Sequence, residues 1–189
     1  MSSNELDEIK FGTDGWRGII GFDFNLSNLS RVVVASCQEL YYQYFKETNS
    51  KKILIGYDRR FMANEFAKEI AFFVKGCGFE PILPTTYVTT PSCSLYAKKF
   101  KCLGALVITA SHNPYNWLGI KIKSFNGCSV DESFTTAVEK RLLLGNSIHR
   151  LEGSYTKLNI RNFHLDEIGS NFNVDFIVKN LKKMNLHIF

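Results

Sequence analysis

Apolar residues follow two alternating patterns along this chain. Short apolar runs, typical of buried strands, alternate with longer segments in which apolar residues recur at helical spacing. Strands are predicted at 52–57, 80–84, 103–109 and 119–123. Helices are predicted at 28–46, 62–75, 90–99 and 132–144. Ser27 or Ser30 is expected to cap the first helix, and Thr90, followed by Pro91, the third. This alternation favours a three-layer α/β/α sandwich over residues 1–145, with a largely parallel mixed sheet.

The pattern becomes less regular after this first domain. Residues 146–168 indicate one extended segment, so 146–170 is interpreted as a linker. Helical spacing returns at 174–184, and 186–189 resembles the first residues of a new strand. A strand start without a partner cannot satisfy its backbone groups. We therefore expect 171–189 to be the truncated, incomplete start of a second α/β domain.

Composition excludes several classes of protein. The formal net charge is +5, and the basic residues are spread out rather than gathered in the stripe with interleaved aromatics that nucleic-acid binders use. The five cysteines are scattered without a Cys-x-x-Cys pair, which argues against a disulfide framework or a zinc site and indicates reduced thiols. The acidic, polar N-terminus is no signal peptide, and no apolar run approaches the roughly 18 residues of a membrane span. We expect a cytoplasmic protein with neither nucleic-acid nor membrane partners.

The candidate chemistry lies where the strand predicted at 103–109 ends. The strand continues into Thr-Ala-Ser-His-Asn-Pro, so the Ser111 hydroxyl stands in a tight polar turn. In open α/β sheets, ligands bind outside the carboxyl ends of the strands. The adjacent His112 raises the alternative of a serine hydrolase. Sequence neighbours in a turn rarely adopt nucleophile–base geometry, however, and the Gly-x-Ser-x-Gly elbow is absent.

Two other segments complete the pattern. Upstream, Phe-Gly-Thr-Asp-Gly-Trp-Arg-Gly occupies 11–18, and glycine recurs every third residue from Gly12 to Gly21. Taken alone this spacing indicates only a flexible turn, but successive amides can form an anion-binding nest, and Arg17 adds a rigid fork of donors for phosphate oxygens. Downstream, Lys121 follows Ser111 by ten residues on the next predicted strand, so both can face one edge of a cleft.

These three motifs, in this order, resemble those of the α-D-phosphohexomutases, the superfamily that contains phosphoglucomutase and phosphomannomutase. The resemblance covers roughly the first three quarters of the chain. It implies that Ser111 carries a phosphoryl group and donates it to a hexose 1- or 6-phosphate. The resulting hexose 1,6-bisphosphate then returns its other phosphoryl group to Ser111. The loop by which the family tells glucose, mannose and glucosamine phosphates apart is absent, so the sugar stays open.

The resemblance also assigns roles to individual residues. It implies that Arg17 contacts the phosphoryl group and that Lys121 helps to shuttle the proton of the substrate hydroxyl. His112 orders the loop or contacts the phosphoryl group. Further substrate- and phosphate-binding positions are Thr13, Gly15, Asn113 and Arg60. Asp58 and Arg60 also match a family motif, for which we expect an internal ion pair that shapes the floor of the site.

The resemblance further implies Mg²⁺, held by Ser111 through its phosphate and by an Asp-x-Asp-x-Asp loop in the second domain. No two aspartates of this chain have Asp-x-Asp spacing, so the remaining metal ligands are expected outside it. We therefore predict an enzyme piece with negligible mutase turnover by itself, which could self-associate through its exposed domain-interface surface. The alternative is a short non-catalytic module that binds sugar phosphate or docks onto a full-length mutase.

Overall fold

A computed structural model describes residues 9–12, 14–145, 147 and 149–184. Within them a single mixed sheet has the strand order β1-β5-β4-β2-β3-β6. Its strands are β1 (Trp16–Ile19), β2 (Lys52–Tyr57), β3 (Glu80–Pro84), β4 (Gly104–Ile108), β5 (Trp117–Ser124) and β6 (Thr156–Leu158). The strands β4, β2, β3 and β6 run parallel, whereas β5 is antiparallel to both β4 and β1. The predicted sheet, largely parallel and mixed, is confirmed.

Helices cover both faces of the sheet. They are α1 (Leu26–Thr48), α2 (Ala63–Gly76), α3 (Thr90–Lys99), α4 (Glu132–Leu144), α5 (Ile160–Asn171) and α6 (Val174–Lys183). Helices α1, α2 and α4 pack together on one face, and α3 and α5 pack on the other. Because side chains alternate along a strand, Ile53 and Ile55 of β2 enter the larger core under α1 and α2, while Leu54 enters the smaller core under α3. The three-layer α/β/α sandwich is confirmed.

Two predicted helix caps are wrong by a few residues. Helix α1 is capped by Asn25, whose extended backbone lets its side chain accept from the Asn28 amide. Ser30, one of the two expected caps, instead bonds to the Ser27 carbonyl from inside the helix. Helix α3 is capped by Thr89 rather than Thr90, since the Thr89 hydroxyl accepts from the Ser92 amide. In both cases the cap is the residue with extended backbone, a property that residue type alone does not determine.

The segment expected to be a linker, 146–170, instead contains a strand and a helix. Strand β6 adds to the parallel edge beside β3, and α5 packs against α3, where the Tyr96 and Phe163 rings meet edge to face 5.4 Å apart. Ile160, the first residue of α5, is fully buried in the smaller core. These elements therefore continue the first sandwich past residue 145.

The chain after α5 continues into α6, which lies at the predicted position. None of its side chains is buried. The strand predicted at 186–189 lies outside the described residues, so the start of a second domain at 171 stays a prediction. Among the described helices, none has both the length and the apolar character needed to cross a membrane.

If α5 belongs to the sandwich, removing the buried side chain at its start must destabilise the whole domain. We expect Ile160→Ala to lower the free energy of unfolding by about 2–4 kcal/mol, through lost apolar burial and the cavity that remains. Ile168→Ala, at an exposed position of the same helix, should change it by no more than about 0.5 kcal/mol. Urea denaturation measures both, and equal effects of the two substitutions would contradict the assignment.

Candidate active site

Ser111 stands on a turn that projects from the carboxyl end of β4. Its backbone is left-handed, with φ at +55°, a conformation that costs a non-glycine residue about 1 kcal/mol or more. The Ser111 amide donates to the Thr109 hydroxyl across 3.0 Å, which closes the turn. The side chain of Ser111 is solvent-exposed. The fold therefore presents the predicted nucleophile at the ligand-binding edge of the sheet.

Arg60 holds this turn in place. Its four terminal N–H groups each meet one main-chain carbonyl of the loop at 2.6–3.1 Å. The carbonyls are those of Ser111, Asn113, Pro114 and Trp117. The Asp58 Oδ1 accepts a hydrogen bond from the Arg60 backbone amide at 2.9 Å. The Asp58 Oδ2 lies 3.7 Å from the Arg60 Nε, so the expected ion pair is present.

The phosphate-binding role expected of Arg60 stays a prediction, and in this structure Arg60 contacts the loop instead. Its terminal donors are all directed at loop carbonyls, and none is left to meet a phosphate oxygen. A bound anion cannot donate a hydrogen bond to a carbonyl oxygen. If Arg60 turned toward a phosphate, the loop carbonyls would therefore lose their hydrogen-bond donor. Arg60 therefore holds the loop that carries Ser111.

Arg17 reaches the same loop from β1. Its register partner on β5 is Gly119, and a Cβ at Gly119 would lie 2.8 Å from the Arg17 Cγ. The missing side chain lets Arg17 cross β5 toward Asn113, whose side-chain oxygen accepts from Arg17 Nη1 at 3.0 Å. Arg17 also lines a cavity of about 220 Å³ together with Gly15. The structure thus brings Arg17, Asn113 and the Ser111 turn together, as the sequence predicts.

Lys121 lies two residues beyond Gly119 on β5, on the same face of the sheet as Arg17 of β1. Its ammonium group makes a salt bridge with Asp14. The second oxygen of Asp14 accepts from the Ser129 hydroxyl at 3.0 Å and lies 3.6 Å from the Lys123 Nζ. Lys121 is therefore held by a carboxylate that joins two lysines and a serine.

Asp14 was not singled out by the sequence analysis. Partial burial raises its pKa, but the hydrogen bond from Lys121, the charge of Lys123 and the hydrogen bond from Ser129 together outweigh burial and hold the pKa below its ordinary value. The sequence feature that could have identified Asp14 is the glycine that follows it, Gly15. Gly15 has φ at +106°, and a Cβ there would lie 2.2 Å from the Ile120 carbonyl oxygen, so only glycine lets this segment approach β5.

His112 is the remaining expected residue near the nucleophile. Its Nδ1 lies 3.5 Å from the Ser111 Oγ on the exposed side of the turn, at the outer limit for a hydrogen bond. No carboxylate among residues 9–12, 14–145, 147 and 149–184 bonds to its ring, so the third member of a hydrolase triad is not found there. Thr13, also predicted to bind phosphate, lies outside the described residues.

The residues described do not by themselves form a metal centre. No group of three or more histidine, cysteine, aspartate or glutamate side chains lies close enough together there to hold an ion. Asp14, the carboxylate that contacts Lys121, is engaged by that lysine and by Ser129. A hard cation such as Mg²⁺ would therefore need oxygen ligands from outside this set.

Known proteins resemble this chain in sequence and in fold. The family model "Phosphoglucomutase/phosphomannomutase, alpha/beta/alpha domain I" covers residues 8–147. A phosphoglucomutase of Staphylococcus aureus (strain MRSA252) is 32% identical over 136 residues, which are 70% of this chain and 24% of that protein. One from Staphylococcus haemolyticus (strain JCSC1435) is 32% identical over 143 residues, 75% of this chain and 26% of that protein.

Solved structures of phosphoglucomutase/phosphomannomutase proteins also resemble this chain in fold. The putative phosphomannomutase from Thermus thermophilus superimposes with a TM-score of 0.79 at 29% identity, over 93% of this chain and 38% of that one. A family protein from Burkholderia thailandensis, 19% identical over 82% of this chain and 34% of that one, shares the fold with a TM-score of 0.70. The chain spans about a quarter of the length of the curated relatives that it matches.

The Arg60 contacts predict a selective effect on the loop. We expect Arg60→Ala to destabilise the protein by about 2–4 kcal/mol, since several charge-assisted hydrogen bonds are lost at once. It should also abolish hydrogen-exchange protection of the Asn113 and Trp117 amides, which bond within the loop. The matched control is Arg59→Ala, at the neighbouring exposed arginine. Unchanged protection at Asn113 and Trp117 in Arg60→Ala would show that the loop holds itself.

The Asp14 contacts predict a pH dependence. Because the folded pKa of Asp14 lies below the unfolded value, the ionised group stabilises the fold above about pH 4, and this contribution is lost as the pH falls through the folded pKa. We expect Asp14→Asn to be less stable than wild type at pH 7 and to lose less stability between about pH 5 and pH 3. Asp166→Asn, at an exposed position of α5, is the control. Parallel stability curves for wild type and Asp14→Asn would contradict this.

Proposed function

Since the chain belongs to the phosphoglucomutase/phosphomannomutase family through its α/β/α domain I, we propose that it is the phosphoserine-bearing part of a mutase that interconverts hexose 1-phosphate and hexose 6-phosphate. The observation that carries the proposal is the Ser111 turn: an exposed hydroxyl in a left-handed conformation, with its loop clamped by Arg60 and contacted by Arg17. Strained, clamped residues of this kind concentrate at functional sites.

The proposed reaction has two phosphoryl transfers. In the first, the Ser111 oxygen attacks a phosphorus of hexose 1,6-bisphosphate, an O–P bond to Ser111 forms, the bond from phosphorus to the sugar oxygen breaks, and the Ser111 hydroxyl proton is replaced by one on the sugar oxygen. In the second, a hydroxyl oxygen of a hexose monophosphate attacks the phosphoserine and forms a new O–P bond, the Ser111 O–P bond breaks, and the hydroxyl proton is replaced by one on the Ser111 oxygen. Little covalent chemistry is required of the protein in such transfers, so positioning and charge stabilisation dominate.

The described side chains suit those two tasks. Arg17 lies on the β1–β5 face beside the turn, where its guanidinium can pair with oxygens of the transferred group. Asn113, bonded to Arg17, holds that guanidinium toward the nucleophile. Arg60 fixes the direction of the Ser111 main chain. We assign charge stabilisation to Arg17 and positioning to Asn113 and Arg60.

Lys121 is assigned the proton transfer. The salt bridge with Asp14 orients the ammonium group, which can donate a proton to the departing sugar oxygen. In the reverse direction the neutral amine would take the proton of the attacking hydroxyl. The lowered pKa of Asp14 supports assigning the proton transfer to Lys121 rather than to Asp14. A carboxylate that stays ionised is a weak base, and it remains a negatively charged partner for the lysine. Asp14 is therefore a positioning residue for Lys121.

The proposal leaves two parts of catalysis outside this chain. Mg²⁺ would help to neutralise the transferred phosphoryl group, with Ser111 contributing through its phosphate, but the described carboxylates do not complete a site for it. The chain also spans only about a quarter of its curated relatives. We propose that it has negligible mutase turnover by itself. Its five cysteines are free thiols, which suits the reducing conditions of the cytoplasm.

Labelling of Ser111 tests the proposal directly. The protein is incubated with glucose 1,6-bisphosphate carrying radioactive phosphorus, and the labelled peptide is identified by mass spectrometry. We expect label on Ser111, none in Ser111→Ala, and wild-type labelling in the control Ser170→Ala, at an exposed serine of α5. Lys121→Ala should slow labelling by about 10²–10⁴-fold.

Two outcomes would count against it. Label on another residue that persists in Ser111→Ala would remove Ser111 from the reaction. Tight, saturable binding of the bisphosphate without any transfer would favour the non-catalytic binding module instead.

A further inference from the structure

A second basic cluster lies on the same edge of the sheet as Ser111. Arg59 follows the carboxyl end of β2, Tyr87 lies in the loop after β3, and Arg161 lies in the first turn of α5, after β6. These three strands are neighbours in the sheet, so their ends bring the three side chains together. Because β2 also borders β4, the cluster begins one strand away from the Ser111 turn, and one strand spacing is about 5 Å.

Both arginines gather around the tyrosine ring. The guanidinium carbon of Arg59 lies 3.9 Å from the centroid of Tyr87, and its Nη2 donates to the Tyr87 hydroxyl. The guanidinium carbon of Arg161 lies 5.8 Å from the same centroid. The ring holds the two cations close together by cation–π attraction.

Within the described part of the chain, neither cation has a counter-charge. Over residues 9–12, 14–145, 147 and 149–184, no carboxylate makes a salt bridge or hydrogen bond with Arg59 or Arg161. Asp58, the acid next to Arg59 in sequence, is paired with Arg60. By contrast, Arg141 pairs with one glutamate and Arg150 with two. The cluster is therefore a place where positive charge is concentrated and left uncompensated by these residues.

The surrounding structure fixes the cluster in position. The Ser92 hydroxyl and the His164 Nδ1 lie 2.7 Å apart and join α3 to α5 near their N-termini. Tyr87 stands just before α3, and Arg161 stands on α5, so this bond links the two elements next to the cluster. The positive ends of both helix dipoles also face this edge and add to the field that the arginines create.

We propose that Arg59, Tyr87 and Arg161 form a second anion site, which binds a phosphate group as its dianion. Guanidinium forks match phosphate oxygens in geometry and charge, and the Tyr87 hydroxyl can supply a further donor. The site is separate from Arg17 and Asn113, which face the Ser111 turn. It would hold either free inorganic phosphate or the phosphate of a sugar phosphate at the mouth of the reaction site. The proposal does not rest on the proposed function, because it requires binding and no transfer.

An NMR titration in the Ser111→Ala background, where no phosphoryl transfer to Ser111 can occur, tests the site. Inorganic phosphate and glucose 1,6-bisphosphate are added separately, and amide shifts are followed residue by residue. We expect saturable shifts at Tyr87 and in the first turns of α3 and α5. Arg59→Ala and Arg161→Ala should each weaken this binding by about tenfold or more, the equivalent of one charge-assisted hydrogen bond. Arg31→Ala, on α1, removes the same charge elsewhere and should have almost no effect.

The variants also separate this site from the Ser111 site. Arg17→Ala should remove shifts at residues 109–117 and leave those around Tyr87 unchanged. Shifts around Tyr87 with phosphate alone identify free phosphate as a ligand, whereas shifts with the bisphosphate alone identify a sugar phosphate. The proposal is overturned if neither compound gives saturable shifts there, or if Arg31→Ala weakens binding as much as Arg59→Ala and Arg161→Ala do. Thermal midpoints of the variants, none of them at a fully buried position, confirm that each is folded.

Discussion

One guanidinium group organises the candidate site. Arg60 binds four main-chain carbonyls of the 111–117 loop, and without it those carbonyls would have to find water or another donor. The same loop contains a serine in a left-handed conformation that is unfavourable by itself. The clamp therefore makes a strained, exposed nucleophile compatible with a stable fold. It also explains why Asp58 lies beside Arg60, where it neutralises a cation enclosed by carbonyl dipoles.

A second constraint is the close approach of the glycine-rich segment to β5. A side chain at Gly15 or Gly119 would clash with its neighbours. Because both residues are glycine, Asp14 and Arg17 can extend from the edge of the sheet and lie over the next strand, β5. Charge then alternates over this face, with Asp14 placed between Lys121 and Lys123. Asp14 pairs with both lysines. Arg17 instead donates to the neutral side-chain amide of Asn113, so its positive charge is directed at the Ser111 turn. Such preorganised charge is the main means by which a protein accelerates phosphoryl transfer.

The hydrophobic pattern predicted the bounds of elements whose apolar residues face the core. The bounds of β2 and β3 agree with the prediction, because every residue of each strand except the first is buried. The bounds of α4 also agree, because its buried residues Phe134, Val138 and Leu142 recur at helical spacing. Strand β1 was missed because its four residues lie in a glycine-rich segment without an apolar run, and its pairing with β5 is a tertiary contact. Strand β6 was predicted only as part of an extended linker, because its three residues are largely exposed and its pairing with β3 is a tertiary contact.

The candidate site likewise has features that the sequence predicted and features that only the fold determines. Ser111, Arg17 and Lys121 were predicted from motifs, whereas the contacts of Asp14 and the orientation of Arg60 depend on which distant backbone groups the fold brings near. The central claim is that this Ser111 turn performs the phosphoryl transfer of a phosphohexomutase. Its most direct test is a chimera in which residues 9–145 replace the matching segment of the Staphylococcus aureus phosphoglucomutase. We expect mutase turnover that is lost on Ser111→Ala. Turnover that is unchanged by Ser111→Ala, or a folded chimera that binds hexose phosphate and never carries phosphate on Ser111, would contradict the claim.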